Sequence, residues 1–482
     1  MAVIQAITNP MIAFANWFWG IPILILIGGG GLFMCIYLGF PQLRHAHYIN
    51  GQTFGKMFGK SDTTEGTVSP FAAACTALAS SIGASNIVGV PVAIALGGPG
   101  AVFWIWILAI IGMCTKYVEV TLGIKYREKN EVGEMVGGPY YYCRKGLGEL
   151  GEGWKKVGAF FGIWYAFFLM IELFPSIASQ SASATSQFVV FGIDEKIVAV
   201  IVAVIVAIVC IGGVKRIASV CDKLVPFMAL IYLIGGIILI LMNITNVPAA
   251  IAMIFADAFK GHAAVGGFAG AGAAMAIRWG AARGVYSNEA GMGTAPQGHA
   301  AANVDHPIRQ GMWGVFEVMV DTIIVCTITA LAVLVTGAWT TENASTTASG
   351  SLAQRAYASA FGSGFANVFI AICVFLFVLS TIIVITFYGQ RQSEFLFGVK
   401  FSKIWVWVYI VAIIVGGMGI QLGTLYSLTD FFLGIIVIPN MITIIILVPQ
   451  VKKLQTEFFH TPGKYYLADV EEKKAKKAAK AK

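Results

Sequence analysis

Eleven apolar stretches follow one another along this chain, separated by short polar connections. Each is close to the roughly 20 residues an α-helix needs to cross the hydrocarbon of a bilayer. Backbone polar groups in lipid must be satisfied within their own segment, so such a chain crosses as helices. The supply of charge agrees. Of 482 residues, 58% are hydrophobic and 12% charged, against about 25% charged in soluble domains. Too few charges remain to coat a water-facing surface, so lipid takes that place. The even spacing of the stretches argues for one bundle rather than a string of soluble domains.

The first stretch, 16–40, is a leader. Spans one to ten are expected at 68–95, 100–124, 157–185, 197–212, 224–244, 263–295, 311–337, 365–388, 404–421 and 427–448. The first 15 residues hold no Lys or Arg, so the basic region of a cleavable signal is missing and the leader is expected to stay as a helix. With the C-terminus in the cytoplasm, eleven spans put the N-terminus outside. Of the 32 Lys and Arg, 26 then fall in inner segments; only Lys196, Lys260 and Arg355 fall outside, and Lys116, Arg278 and Arg283 lie within spans. Positive charge on the inner loops is what a plasma-membrane topology requires. It also accounts for the basic balance of the chain, so no nucleic-acid partner is implied. The lysine-rich tail reads as a solvated or anionic-lipid-facing end.

The eight cysteines form no CxxC pair, and most sit in apolar blocks as small hydrophobes. All six histidines fall in expected loops, where none can act at membrane depth. The aromatic turn Gly137-Gly138-Pro139-Tyr140-Tyr141-Tyr142 reads as a short interfacial helix on the inner face. There is no HExxH, GxSxG or Walker A pattern, so an enzyme or an ATP-driven pump is not expected.

Two spans are unlike lipid-facing helices. Span one carries Ala79-Ser80-Ser81-Ile82-Gly83-Ala84-Ser85-Asn86 at mid-depth. Span six carries Gly266, Gly267, Gly270, Gly272, Gly280, Gly284, Gly291 and Gly293 with Arg278, Arg283 and Glu289. Glycine and charge at depth are costly unless they line a cavity or meet protein partners. Interrupted helices at matching places in two halves point to a transporter with inverted repeats, because an odd number of spans per half turns the second half over. Broken helices expose N–H groups that suit a carboxylate and carbonyls that suit a cation.

The run Gly97-Gly98-Pro99-Gly100-Ala101-Val102-Phe103-Trp104-Ile105-Trp106 resembles the signature of the alanine or glycine:cation symporter family, the sodium:alanine symporters. Ile105 stands where the family usually has Met. Gly212-Gly213 with Arg216-Ile217, Arg283-Gly284 with Ser287-Asn288-Glu289-Ala290-Gly291, Ala300-Ala301-Ala302 and Pro439-Asn440 are similar to further family stretches. The resemblance implies an all-α integral membrane protein of the leucine-transporter fold, with eleven transmembrane helices. It divides as an additional N-terminal helix and inner loop (1–67), a first five-helix repeat (68–245), an inverted second repeat (246–451) and a basic cytoplasmic tail (452–482).

The resemblance also implies a sodium site made by carbonyls of Ala79 and Ile82 and hydroxyls of Ser380 and Thr381. Oxygen ligands suit a hard cation. Ser81, Ile82 and Gly83 are expected to face the substrate carboxylate, with Met275, Ala276 and Ile277 at the opposite break and Trp279 closing one side. Gln180 matches a family glutamine and is expected at the amino group, although Ser176, Ser179 and Ser181 replace the family's Asn-rich surroundings; Phe174 is expected as a gate. Lys116 and Glu119 are expected to pair along span two, with Glu119 free to cap broken span one. Arg278, Arg283 and Glu289 are expected to hold span six or an inner gate. The implied function is sodium-coupled import of alanine or glycine by alternating access, with no obligate protein partner. A proton-coupled carrier using Glu172, Glu317 and Asp321 is the alternative.

Overall fold

The computed structural model describes residues 2–57, 66–260, 269–340, 351–419 and 422–480, and is predominantly helical. Among these residues, eight helices are long and apolar enough to cross a membrane, nine when the bent pair Pro70–Ser81 and Ser85–Gly97 is taken as one. Expected spans four and six are the helices Glu195–Ile211 and Ala269–Asn288. The former is short and the latter carries Arg278 and Arg283, so length and apolarity alone do not count them. The expected start of span six and the end of span nine, Gln421, lie outside the described residues.

The leader is two helices, Ala2–Phe18 and Ile21–Leu38. Pro22 in the first turn of the second, after Gly20, makes it a fresh start rather than a continuation. An unforeseen helix, Val247–Lys260, joins spans five and six. It packs on the signature run, where the Trp104 indole donates to Ala258 O at 2.9 Å and Phe103 meets Phe255 and Phe259.

The aromatic turn does form a helix, Pro139–Gly148, but not as a surface anchor. Tyr140 and Tyr142 are fully buried. Gly158 and Gly162 of the helix Glu152–Thr185 let it approach closely: a Cβ added at Gly162 would lie 2.9 Å from Tyr140 O, and one at Gly158 would press still harder on Cys143 O. Burial of a phenol needs a partner, and the Tyr142 hydroxyl donates to Asn440 of span ten.

Spans one and six are both interrupted and run antiparallel against each other. Gly298 lies against Thr76 and Ala77; Ser80 reaches Glu289; Asn86 reaches Ser287; and Gly97 lies against Met275, while beyond the helix ends Val68 makes a parallel bridge with Ala302. Span one is broken at Ile82–Ala84, where Ile82 leaves the helical region at ψ 89. Span six is broken between Asn288 and Ala295, where Glu289, Gly291 and Gly293 adopt φ of 55, 92 and 76. Two glycines in the left-handed region account for the position of this second break.

Candidate functional site

The two breaks meet the continuous helix Ser363–Phe397, span eight, at its middle. Thr381 Oγ1 lies 3.0 Å from Ala79 O, 3.3 Å from Ile82 O and 2.9 Å from Phe377 O of its own helix. These are hydrogen-bond distances from one hydroxyl to carbonyl oxygens, the ligand type a hard cation takes. Three of the four expected sodium ligands, Ala79, Ile82 and Thr381, are therefore brought together. Ser380 is not with them: its hydroxyl donates to Phe377 O at 2.8 Å and faces Met228 Sδ at 3.4 Å. A helical Ser satisfies its own turn when nothing draws it away.

Beside Thr381 lies a cavity of about 40 Å³ whose wall includes Ser80, Ser81, Gly83, Gln180, Glu172 and Glu289. Gly83 is its floor. A Cβ there would stand 2.9 Å from Thr381 Oγ1 and 3.4 Å from Gln180 Nε2. Gln180 is buried and its Oε1 has no hydrogen-bond partner among the described residues. An acceptor buried without a donor is costly, and here it faces the cavity. Ser85, where the helix restarts, also borders the cavity, and the next N–H, that of Asn86, donates to Gly83 O at 3.3 Å. Hydroxyls, an open amide acceptor and two carboxylates line one small space, a polar lining for a ligand carrying both charges.

Asn86 ties this break to span seven. Its Oδ1 accepts from Gly83 N at 3.1 Å, and its Nδ2 donates to Asp321 Oδ1 at 2.7 Å and Ser287 Oγ at 3.0 Å. Asp321 also accepts from Ser287 at 2.8 Å and Thr322 at 2.6 Å. A fully buried carboxylate is thus held by neutral donors from spans one, six and seven.

Met275, Ala276 and Ile277 are not at a break. They lie in the unbroken helix Ala269–Asn288, with Met275 against Gly97, at the far end of span one from Gly83. Ala273, Ala274 and Ala276 are strong helix formers that offset the neighbouring glycines, and the φ-positive glycines of this span, among the described residues, come only after Asn288. Trp279 lines a second, wider cavity rather than the central one, and Phe174 packs on the hydrophobic core. Ile82 contributes its carbonyl; its side chain is buried in that core.

The buried charges are also rearranged. Lys116 pairs with Glu317 of span seven at 2.7 Å, not with Glu119. Glu119 caps the break in span six, not span one: its Oε1 accepts from Gly291 N at 3.1 Å and Asn440 Nδ2 at 2.7 Å. Glu289 sits at the break and accepts from Ser80 at 3.1 Å and Thr294 at 2.5 Å, whereas Arg283 lies on the other side in the wider cavity. His299, expected in a loop, is fully buried in the helix Ala295–His299, 3.2 Å from Glu317 Oε2 and 2.7 Å from Gln310 Nε2. Residues 296–299 follow the break as one buried helical turn, and the polar spacing there reads as a loop.

The face near Val68 and Ala302 is closed. Arg127 donates to Ala300 O and Ala302 O at 3.1 and 2.6 Å, and Arg391 pairs with Glu134 and Glu394 at 2.5 and 2.6 Å. Glu134 is held by the hairpin that pairs Glu128–Lys129 with Met135–Val136. From the opposite face, the wider cavity leads to the centre, since both share Ser85, Gln180 and Tyr286. A central site shut on one side and approached on the other suits a carrier.

The sodium:alanine symporter family model matches residues 4–471. The chain belongs to that family. It is 46% identical over 96% of its length to the uncharacterised transporter YflA of Bacillus subtilis strain 168, covering 95% of that protein. It is 37% identical to the sodium/alanine symporter AgcS of Methanococcus maripaludis, over 90% of this chain and 93% of that one. It is 34% identical to the amino-acid carrier protein AlsT of Bacillus subtilis, over 90% of this chain and 88% of that one. The protein is a multi-pass membrane transporter and not an enzyme, and its family supports cation:amino-acid symport.

Proposed function

We propose that this protein is a sodium-coupled symporter that imports small neutral amino acids, alanine or glycine, by alternating access. The observation that carries the reading is the contact of Thr381 with the carbonyls of Ala79 and Ile82, set against a cavity floored by Gly83 and faced by Gln180. A cation there ties span eight to broken span one. Spans one to five (68–245) and six to ten (246–451) act as the two inverted repeats, and the leader stands outside this core. The antiparallel run of the two broken spans supports that division. The basic loops face the cytoplasm with the C-terminus, so the wider cavity opens outward and the Arg391–Glu134 side is the closed inner face. Substrate charge is met by the Gln180 amide, the hydroxyls of Ser80, Ser81 and Ser85, and the carboxylates of the central wall. The name of the AgcS relative points to alanine and sodium.

A proton-coupled carrier is the second reading. Asp321 favours it, because this buried carboxylate is held by neutral donors and by no cation among the described residues. Uptake of labelled alanine and glycine into proteoliposomes under an imposed sodium or proton gradient separates the two. Accumulation driven by sodium alone is expected, and accumulation driven by protons alone rejects the sodium reading.

A further inference from the structure

The wider cavity, about 300 Å³, has Arg283 of span six and Asp430 of span ten in its wall. Among the described residues no ion pair joins them. The Arg283 guanidinium instead lies 5.5 Å from the Trp279 ring and 5.9 Å from the Tyr286 ring, and its Nε is buried without a partner. The Asp430 backbone carbonyl accepts from the Trp19 indole at 2.8 Å, and its carboxylate, on which the Arg283 charge acts, makes no hydrogen bond among the described residues. Arg278 lines the adjoining cleft with Asp430 and also lies against Trp279, at 5.8 Å, with no ion pair of its own among the described residues.

Arg283 and Asp430 are half-buried and act on each other across the cavity without touching, and half-buried charges held short of contact gain from a group that reaches both. Two of opposite sign, held apart on different helices around one cavity, ask for a ligand carrying both. A simple anion meets Asp430 and a simple cation meets Arg283; a molecule with adjacent carboxylate and ammonium satisfies each. The central cavity, about 40 Å³, is the narrower space, while this one holds an amino acid with water to spare. It also borders Ser85, Gln180 and Tyr286, which line both.

We infer that the Arg283–Asp430 cavity is a second binding site for a zwitterionic α-amino acid, filled before the central site and emptying into it. Arg283 receives the carboxylate and Asp430 the ammonium, with Trp279 and Tyr286 holding the guanidinium flat against the wall. This inference rests on the reading that the transported solute is an amino acid.

The test is a count of bound ligand. Purified full-length protein in saturating sodium is equilibrated with labelled alanine, and separately with glycine, and molecules bound per chain are measured. Two are expected for the wild type. Arg283→Gln and Asp430→Asn are expected to bind one, Arg283→Lys two, and Gly83→Leu, which fills the centre, one. A wild-type count of one, with Gly83→Leu reduced to none, overturns the second site and leaves the amino-acid reading intact; that is also the result if the two charges merely close over the centre. Unchanged counts of two in Arg283→Gln and Asp430→Asn overturn it as well. No binding of either amino acid by the wild type overturns both readings. If the cavity variants aggregate on size-exclusion chromatography, the counts for the wild type and Gly83→Leu decide, and the wild-type count decides alone if Gly83→Leu aggregates too.

Discussion

Thr381 on span eight donates to the carbonyl of Ala79, in the last turn before the break in span one, across 3.0 Å and 302 positions of sequence. One hydroxyl therefore links a rigid helix to a broken one at the point where a cation would bind both. Linkage makes any coupling mutual: if sodium raises the affinity for substrate, substrate raises that for sodium by the same factor. Thr381→Ala is expected to raise the sodium concentration needed for half-maximal alanine binding by about tenfold, the equivalent of ~1.4 kcal/mol. Ser380→Ala should shift it less, because that hydroxyl faces Phe377 O and Met228. Alanine binding across a sodium titration measures both, and superimposed curves for wild type and Thr381→Ala remove this residue from the ion site.

Gly83 tolerates no side chain without displacing its neighbours. Its added Cβ would lie 2.9 Å from Thr381 Oγ1 and 3.4 Å from Gln180 Nε2. Gly83→Leu should leave the protein in the membrane, monodisperse after extraction, and stop alanine transport. Normal uptake by this variant places the substrate elsewhere.

Substrate size follows from the same wall. The central cavity measures about 40 Å³ between spans one, three, six and eight, so even alanine needs a small adjustment of its lining. Leucine and phenylalanine should compete with labelled alanine at least tenfold less well than unlabelled alanine, since overpacking a close-packed wall costs about 1–3 kcal/mol. Equal competition by leucine contradicts this pocket.

Lys116 and Glu317 pair at 2.7 Å with neither side chain exposed, and His299 shares the carboxylate. Removing one partner leaves a buried charge unanswered, at about 3–5 kcal/mol, whereas replacing both with apolar residues can be nearly neutral. Lys116→Met should lower the detergent melting temperature markedly, and Lys116→Met with Glu317→Leu should recover most of the loss. Thermal unfolding of the three proteins checks this; equal losses in single and double variants mean that the pair does not set stability.

The closure near Val68 and Ala302 rests on two arginines. Arg391 meets Glu134 and Glu394, while Arg127 meets two backbone carbonyls. Arg391→Ala should speed alkylation of a cysteine placed at Gln297, which is buried behind it, severalfold in a background lacking reactive native cysteines. An unchanged labelling rate shows that other contacts hold this face shut.

Much of the architecture follows from chain-local physics. Apolar length sets the spans, since lipid leaves a backbone no other way to satisfy itself. The small polar run Ala79–Asn86 marks the break in span one, because no regular lipid-facing helix has a use for it. Gly291 and Gly293 carried an equally local signal for the second break, in the positive φ that glycine permits. The break expected at Met275–Ile277 has no such glycine in the left-handed region, and the helix runs on unbroken there. Pairings are different. Lys116 has Glu119 one turn away and chooses Glu317, 201 positions on; Glu119 turns to Gly291 and Asn440; His299 leaves its polar surroundings for Glu317. Arg283 and Asp430, 147 residues apart in sequence, share one cavity wall. A buried polar group takes whichever partner the packed helices bring within about 3 Å, and that distance is set by how helices cross, through contacts such as Gly280 on Ala101 and Gly97 on Met275. Periodicity and composition act within one helix and so marked the apolar helices and the break in span one. Which charges meet, and what lines the site, was decided only when separate helices packed together.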